Sequence, residues 1–317
     1  MIGNKKDLLI VSLMLAILAT LACVLAWPGY SQGMAQAVKT QPEPVGSTTN
    51  TVKKTIQPLA SAPSNSGWAS AAQQNALLSL QLTWVFGGQE QRGWVLYTPL
   101  IARTLDIEAG ADTGDFAQAL ARWQRGANLP ATGTLDTDTL YQLIAAWQAH
   151  RLKDHTYPTP DQLITAPPMD FYAPERPAEL RQVEKNTYAA YKRMVAAATA
   201  DPSLGLAKTA TGELAPTEKY LKIISAFRSK EYQDQLRQQN PQAGRAQLAV
   251  NSPHATGRAL DLYVGGEPVS TRDANRALQT QTRVYQWLVH NAARFGFQPY
   301  YYEPWHWEYT GQEAAAR

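Results

Sequence analysis

Two short segments hold the residues of this chain whose types and spacing could support metal chemistry. The first contains His254 and Asp261, and the second, farther along the chain, contains Glu303 and His306. Together they supply two imidazoles and one carboxylate for a metal ion, with one carboxylate left over. A catalytic zinc needs three protein ligands, a fourth position for water and a base beside that water. The two segments therefore predict a zinc hydrolase.

The elements around the first segment can bring its two residues to one point. Residues 258–263 alternate as a strand does, which places Asp261 on one face together with Ala259 and Tyr263. His254 lies in the preceding turn, where Gly257 can take backbone angles that other residues avoid. We therefore expect the turn to fold back and to aim His254 at the site that Asp261 faces.

The second segment lies in an aromatic-rich stretch, residues 300–309, which we interpret as a strand interrupted by Pro304. Residues three apart in a plain strand lie on opposite faces, so Glu303 and His306 need a kink at Pro304 to converge. Glu308 shares a strand face with His306 and could support that residue from behind, but we favour a solvated charge at a strand end.

The remaining histidines point to no second metal site. The other three of the five histidines lie at a helix end, in a loop and within a helix, and we interpret them as surface or capping residues: His150, His155 and His290. The net charge of +3 is too small and too dispersed to indicate nucleic-acid binding.

Three motifs of the chain resemble those of the VanY-type D-alanyl-D-alanine carboxypeptidases. Two are Ser-x-His-x-x-Gly-x-Ala-x-Asp, ending at Asp261, and Glu-Pro-Trp-His, ending at His306. The third is Ser-Ala-Phe-Arg-Ser around Arg228, where the family usually has Ser-Gly-Tyr-Arg-Ser, so Ala226 and Phe227 depart from its pattern. The resemblance covers roughly residues 170–312, and the motifs are specific when they occur together in this order.

This resemblance implies a role for each motif residue. Zinc would be held by His254, Asp261 and His306, and Glu303 would be the base that takes a proton from the attacking water. Arg228 would bind substrate and stabilise negative charge near the scissile carbonyl. Two further residues are candidates for substrate binding, Ser252 and Gln233, although Ser252 could equally cap its turn through its own backbone.

The start of the chain predicts export and anchoring. Within residues 1–27, the apolar run at 8–27 is long enough to span a bilayer, and Lys5 and Lys6 before it favour a cytoplasmic N-terminus. A cleaved signal peptide is the main alternative. The chain's one cysteine, Cys23, lies in this run, so the exported part cannot contain an internal disulfide. Residues 28–75 are rich in Pro, Ser, Thr, Gln and Ala, which predicts a disordered tether.

Residues 76–152 predict a compact helical domain. Phe116, Leu120 and Trp123 recur at helical spacing, and Asp136 or Thr137 caps a second helix. A Trp-Gln pair followed by Thr-Gly-x-x-Asp-x-x-Thr resembles the type-one peptidoglycan-binding domain. Because an apolar stripe at helical spacing is first a packing face, we expect these aromatic residues to form a core and name no wall-binding residues.

The proline-rich residues 153–170 predict a linker, and residues 171–317 predict the zinc carboxypeptidase domain. We expect helices at about 177–200 and 271–295, the latter capped by Gly296, and strands at 220–227, 258–263 and 300–309. The predicted class is α+β: a small antiparallel sheet flanked by helices, preceded by the helical domain and a transmembrane helix.

Three functions are consistent with this reading. The first is a zinc carboxypeptidase that removes the terminal D-alanine from peptidoglycan stem peptides. The second is a zinc endopeptidase or dipeptidase that cuts another bond of the wall peptide. The third is a wall-binding protein without activity, which the intact ligands and the intact Glu303 argue against. The sequence does not separate the first two, because that choice depends on whether the cleft is closed beyond the final residue.

Overall fold

Helices and short strands alternate along residues 65–239 and 252–314, which are the residues that the computed structural model describes. All of them belong to one compact unit, Ala60–Arg317. The predicted membrane span at 8–27, Cys23 within it, and the predicted tether up to residue 64 lie outside the described residues. Within the described ranges, no helix is long and apolar enough to cross a membrane.

The elements are numbered here in chain order. The α-helices of the described residues are α1 (Ala69–Gln81), α2 (Thr98–Leu105), α3 (Gly114–Gly126), α4 (Thr137–Ala149), α5 (Lys185–Ala200), α6 (Lys230–Gln239), α7 (Asp273–Thr280) and α8 (Arg283–Asn291). The strands are β1 (Thr83–Phe86), β2 (Gln89–Arg92), β3 (Leu163–Thr165), β4 (Gln182–Glu184), β5 (Ile223–Ser225), β6 (Ala259–Leu262), β7 (Phe297–Pro299) and β8 (His306–Tyr309). Short 3₁₀ helices join several of them, including Asn65–Trp68 and Pro253–Thr256.

Residues 65–152, which include the helices α1 to α4, form an N-terminal unit with a shared apolar core. Phe116 and Leu120 on α3 are fully buried, and Trp123 packs against the same core, as the helical spacing predicts. The predicted cap of α4 is Asp136, whose carboxylate accepts a hydrogen bond from the Thr139 N–H at 2.8 Å. The unit is not purely helical, because β1 and β2 form an antiparallel hairpin within it.

The predicted boundary of this unit at residue 76 falls within α1. Residues 65–75, predicted as the end of the tether, form the 3₁₀ helix Asn65–Trp68 and the first half of α1. Trp68 and the α1 residue Ala71 pack into a cluster with two alanines of α3, and Ala72 is buried as well. Alanine is the best helix former, so an alanine-rich sequence that looks featureless in composition can still form a packed helix.

The Thr-Gly motif of the N-terminal unit is a turn held by two buried amides. Gln124 accepts a hydrogen bond from the Gly133 N–H at 2.9 Å, and Asn75 donates to the Gly133 carbonyl at 2.8 Å. Gly133 has a φ of +71°, and a Cβ there would lie 2.7 Å from the Ala117 carbonyl oxygen and from the Trp68 ring. The motif residues therefore fix the packing of α1 against α3.

The C-terminal part contains the predicted small antiparallel sheet, with strand order β5-β6-β8-β7. The predicted strand at 300–309 begins only at His306, since residues 300–305 form turns, and the predicted strand at 220–227 shortens to β5. The strand β7 was not expected. The mixture of helices and small antiparallel sheets confirms the α+β class.

The two long helices predicted for this part are shorter than expected. The first begins at Lys185, where the Glu184 carboxylate accepts hydrogen bonds from the N–H groups of Asn186 and Thr187. The second is divided into α7 and α8, because the Thr282 side chain accepts from the Tyr285 N–H and starts a new helix. Gly296 follows with a φ of +81°, in agreement with its predicted capping role.

The N-terminal unit packs directly against the C-terminal part. Arg103 on α2 donates to the Val289 carbonyl of α8, and the rings of Trp147 and Tyr301 lie 6.2 Å apart. Between the two parts, the predicted linker contributes β3, which pairs antiparallel with β4. The segment 153–170 is thus ordered where it meets the sheet residues Gln182–Glu184.

Candidate metal centre

Strand pairing brings the two predicted metal-binding segments together. In the antiparallel pair of β6 and β8, Asp261 lies directly opposite His306. The Asp261 Oδ1 atom is 3.0 Å from Nδ1 of His306 and 3.2 Å from Nε2 of His254. All three side chains are buried, and their potential ligand atoms lie within 4.8 Å of one another. Among the residues that the structure describes, these three form a group that could hold a metal ion.

The turn before β6 aims His254 at this point. His254 lies in the 3₁₀ helix Pro253–Thr256, which ends at Gly257 with a φ of +70°. The Nδ1 atom of His254 is 2.7 Å from the Ala226 carbonyl oxygen, so this nitrogen carries the hydrogen. The Nε2 atom therefore faces Asp261 with its lone pair. Burial first, and then the nearby Arg228, lower the pKa of His254 to about 4, which keeps it neutral at physiological pH.

Arg228 holds the second oxygen of Asp261. Its Nη2 donates to Asp261 Oδ2 at 2.8 Å, its Nε donates to the Ser225 hydroxyl at 3.0 Å, and its backbone N–H donates to the His254 carbonyl at 3.1 Å. Although burial acts to raise it, the contacts with His254, His306 and Arg228 hold the pKa of Asp261 well below its usual range. The carboxylate is thus ionised and oriented, with Oδ1 toward the two histidines.

Glu303 lies in the turns that precede β8. The Glu303 N–H donates to the Tyr300 carbonyl at 3.2 Å, and the His306 N–H donates to the Glu303 carbonyl at 2.9 Å. Glu303 and His306 therefore approach through a tight turn, and the expected kinked strand is wrong. Glu303 is half-buried, and burial raises its pKa to about 7 even though the charge of His306 acts to lower it. A carboxyl group with a pKa near neutrality can both accept and donate a proton at physiological pH.

Glu308, for which the sequence favoured a solvated charge over a supporting role, lies directly beside His306. It is fully buried, contrary to the expectation of a solvated charge, because β8 is an inner strand paired with both β6 and β7. Its Oε1 lies 3.2 Å from His306 Nε2, and Arg151 donates to the same oxygen. Burial alone would lower the pKa of His306, but the hydrogen bonds to Asp261 and Glu308 outweigh it and raise that pKa to about 9.

The two candidate substrate-binding residues lie in the interior, and the three remaining histidines lie at the surface. Ser252 and Gln233 are buried, one directly before the 3₁₀ helix of His254 and the other in α6, which follows Arg228 in the chain. Their substrate-binding roles stay predictions. The three remaining histidines are exposed at the surface, which agrees with the interpretation of them as surface or capping residues: His150, His155 and His290.

The comparisons with known proteins agree with the motifs. Residues 180–312 match the family model described as VanY, D-alanyl-D-alanine carboxypeptidase. The match includes all three motifs and excludes the N-terminal unit, and it covers less than half of the 317 residues. It supports the VanY-type resemblance of the C-terminal part and indicates a peptidase that acts on peptidoglycan peptides. No curated protein matches the chain.

Proposed function

We propose that this chain is a zinc-dependent D-alanyl-D-alanine carboxypeptidase that trims peptidoglycan stem peptides. The observation that carries the proposal is the buried group of His254, Asp261 and His306, with the half-buried Glu303 beside it. The similarity of residues 180–312 to the D-alanyl-D-alanine carboxypeptidases supports the choice of substrate.

The donor set fits zinc. Two imidazole nitrogens and one carboxylate oxygen are among the ligand sets of catalytic zinc sites, which keep a fourth position open. Each donor is also oriented by a second contact: Ala226 holds His254, Arg228 holds Asp261, and Glu308 lies against His306. When bound there, zinc would lower the pKa of a water molecule to about 7 and polarise the scissile carbonyl.

Glu303 would then move the proton. Its carboxylate would accept a proton from the attacking water and deliver it to the nitrogen of the departing D-alanine, which turns the amine into a good leaving group. Because the pKa of Glu303 lies at about 7, the group can serve in both directions within one turnover. Its position in a turn closed by backbone hydrogen bonds fixes it relative to His306.

Arg228 would stabilise negative charge on the substrate. Its side chain remains 14 % exposed while that of Asp261 is only 2 % exposed, so the guanidinium lies at the accessible side of the ion pair. A fixed cation beside the reacting carbonyl can stabilise the oxyanion that forms there, or bind the terminal carboxylate of the peptide.

One experiment distinguishes the carboxypeptidase function from the endopeptidase or dipeptidase function. The full-length chain is incubated with a pentapeptide ending in D-Ala-D-Ala and with the same peptide amidated at its C-terminus, and the products are weighed by mass spectrometry. We expect release of free D-alanine from the first peptide and loss of most activity on the second. Cleavage of an internal bond, or indifference to amidation, would establish the endopeptidase or dipeptidase function instead.

We also propose that residues 8–27 anchor the enzyme in the cell membrane with its bulk outside the cytoplasm, and that residues 76–152 bind peptidoglycan. The apolar run and the lysines before it support the anchor. Carbonate-washed membranes should retain the protein in the pellet. Recovery of a mature chain that begins after residue 27 would show a cleaved signal peptide and refute the anchor.

A further inference from the structure

An arginine from the N-terminal unit lies behind the metal centre. Arg151 follows α4, and its Nε donates to Glu308 Oε1 at 3.1 Å, while its Nη2 donates to the same oxygen. The Leu152 N–H donates to the other oxygen, Oε2, at 2.9 Å. Glu308 itself is fully buried on β8. The segment after α4 therefore fixes both oxygens of a buried carboxylate that belongs to the C-terminal part.

This carboxylate determines which nitrogen of His306 is available to a metal ion. Both oxygens of Glu308 accept hydrogen bonds from groups that can only donate, Oε1 from the Arg151 guanidinium and Oε2 from the Leu152 N–H. Glu308 therefore acts as an acceptor toward His306 as well, so the Nε2 atom that lies 3.2 Å away carries a hydrogen. The other nitrogen, Nδ1, faces Asp261 and His254. A metal ion can thus be bound through Nδ1 alone.

The same unit supports the turn that carries Glu303. The Arg151 guanidinium lies 4.0 Å from the centre of the Tyr300 ring, at the start of that turn. Phe86, at the end of β1, lies 4.5 Å from the ring of Tyr302, which directly precedes Glu303. Aromatic and cationic side chains of the N-terminal unit thus contact two of the three residues that directly precede Glu303.

From these contacts we propose that Glu308 and Arg151 are positioning residues for His306, and that the N-terminal unit is a required part of the metal centre. Glu308 holds the His306 ring in one tautomer and orientation, and Arg151 holds Glu308. The inference rests on the proposed function for the identity of the metal ion and of the reaction, but its central quantity is metal affinity, which is measured without substrate.

The sign of the effect follows from charge. A carboxylate beside His306 favours a proton on the ring as well as a metal ion, but it favours the ion with two positive charges more. Removing the carboxylate should therefore weaken zinc binding. Replacing Arg151 by lysine keeps the positive charge and removes the planar fork that directs two N–H groups to one oxygen, so it tests geometry separately from charge.

The experiment measures the dissociation constant of Zn²⁺ for the full-length chain by competition with a chromogenic chelator. The variants are Glu308→Gln and Arg151→Lys, singly and together. The matched control is Arg193→Lys, which makes the same exchange in an exposed ion pair with Glu313. Glu308→Gln should weaken zinc binding by about 10–100-fold. Arg151→Lys should weaken it by a smaller factor, and Arg193→Lys should leave it unchanged.

The double variant tests whether the two residues act through one path. Because the proposed path from Arg151 to His306 runs through Glu308, the double variant should bind zinc about as well as Glu308→Gln alone. Spectra of ¹⁵N-labelled histidine in the zinc-loaded wild type should show His306 with hydrogen on Nε2, and Glu308→Gln should broaden or shift that signal.

Any other result would refute a specific part of the proposal. Unchanged zinc affinity in both single variants, even with a lowered melting temperature, would make the pair a structural ion pair only. Weakening by Glu308→Gln with no change in Arg151→Lys would exclude the N-terminal unit from the metal centre. Normal zinc binding by the wild type without peptide cleavage would refute the proposed function and leave the positioning roles standing.

Discussion

Replacing Glu303 by glutamine should abolish turnover and leave zinc binding intact. Glutamine has nearly the same size, and the two hydrogen bonds that close the turn, from the Glu303 N–H to Tyr300 and from the His306 N–H to the Glu303 carbonyl, use only the backbone. The substitution therefore removes a proton acceptor without moving its neighbours. Loss of a general base costs roughly 10²–10⁴-fold in rate, which corresponds to about 3–5 kcal/mol in the activation free energy.

The assay is release of D-alanine from the pentapeptide, measured beside zinc content in wild type and Glu303→Gln. The pH dependence adds a second criterion. The carboxylate is the active form, so wild-type activity should fall as the pH drops through the pKa of Glu303. Burial raises this pKa to about 7, and a bound cation nearby would act to lower it. The residual activity of the variant should lack this acid limb. Near-normal turnover, or loss of zinc together with activity, would refute the assignment of Glu303 as the base.

Three further predictions concern the residues around Glu303. Zinc binding needs neutral His306, whose raised pKa is about 9, so calorimetry should show proton release and affinity should fall about tenfold for each pH unit below that value. Arg228→Lys should lower kcat by roughly 10²–10³-fold with little change in melting temperature, and equal turnover would make Arg228 a bystander. Gly257→Ala should lower the free energy of unfolding by more than about 1–2 kcal/mol and weaken zinc binding, because a Cβ there meets the Glu184 backbone at 3.0 Å. Urea denaturation measures the change in stability. The control is Gly205→Ala, where φ is similar but the space around the Cβ is open.

The sequence was sufficient where the chemistry depends on local pattern. The alternation of residues 258–263 predicts the strand that carries Asp261, and Gly257 predicts the turn that returns His254 to it. Glu303 and His306 were paired with the wrong local geometry, since proline in an aromatic segment is consistent with a kinked strand as well as with a tight turn. In each case the residue type limits the backbone to a few conformations. Because the paired residues are close in the sequence, those few conformations are enough to bring them together.

Long-range contacts explain what the sequence did not predict. Whether a charged residue on a strand is solvated depends on whether that strand lies at an edge, and β8 became an inner strand only because the unexpected β7 pairs beside it. The partner of Glu308 lies 157 residues earlier in the chain, so no periodicity could have linked the two. Pattern in a single sequence indicates which residues share a face of one element, but not which distant segment covers that face.

The contacts of Glu308 cross the predicted domain boundary at residue 153. A family match that begins at residue 180 and a proline-rich segment before it suggest a catalytic part that is complete on its own. Yet Glu308 is a buried anion, and breaking a buried ion pair by removal of one partner costs about 3–5 kcal/mol because the other charge is left uncompensated. Arg151 and the Leu152 N–H supply that compensation from the N-terminal side of the boundary. The contacts therefore divide the chain differently from its motifs: residues 151 and 152 hold the buried carboxylate that lies against His306, one of the three candidate metal ligands.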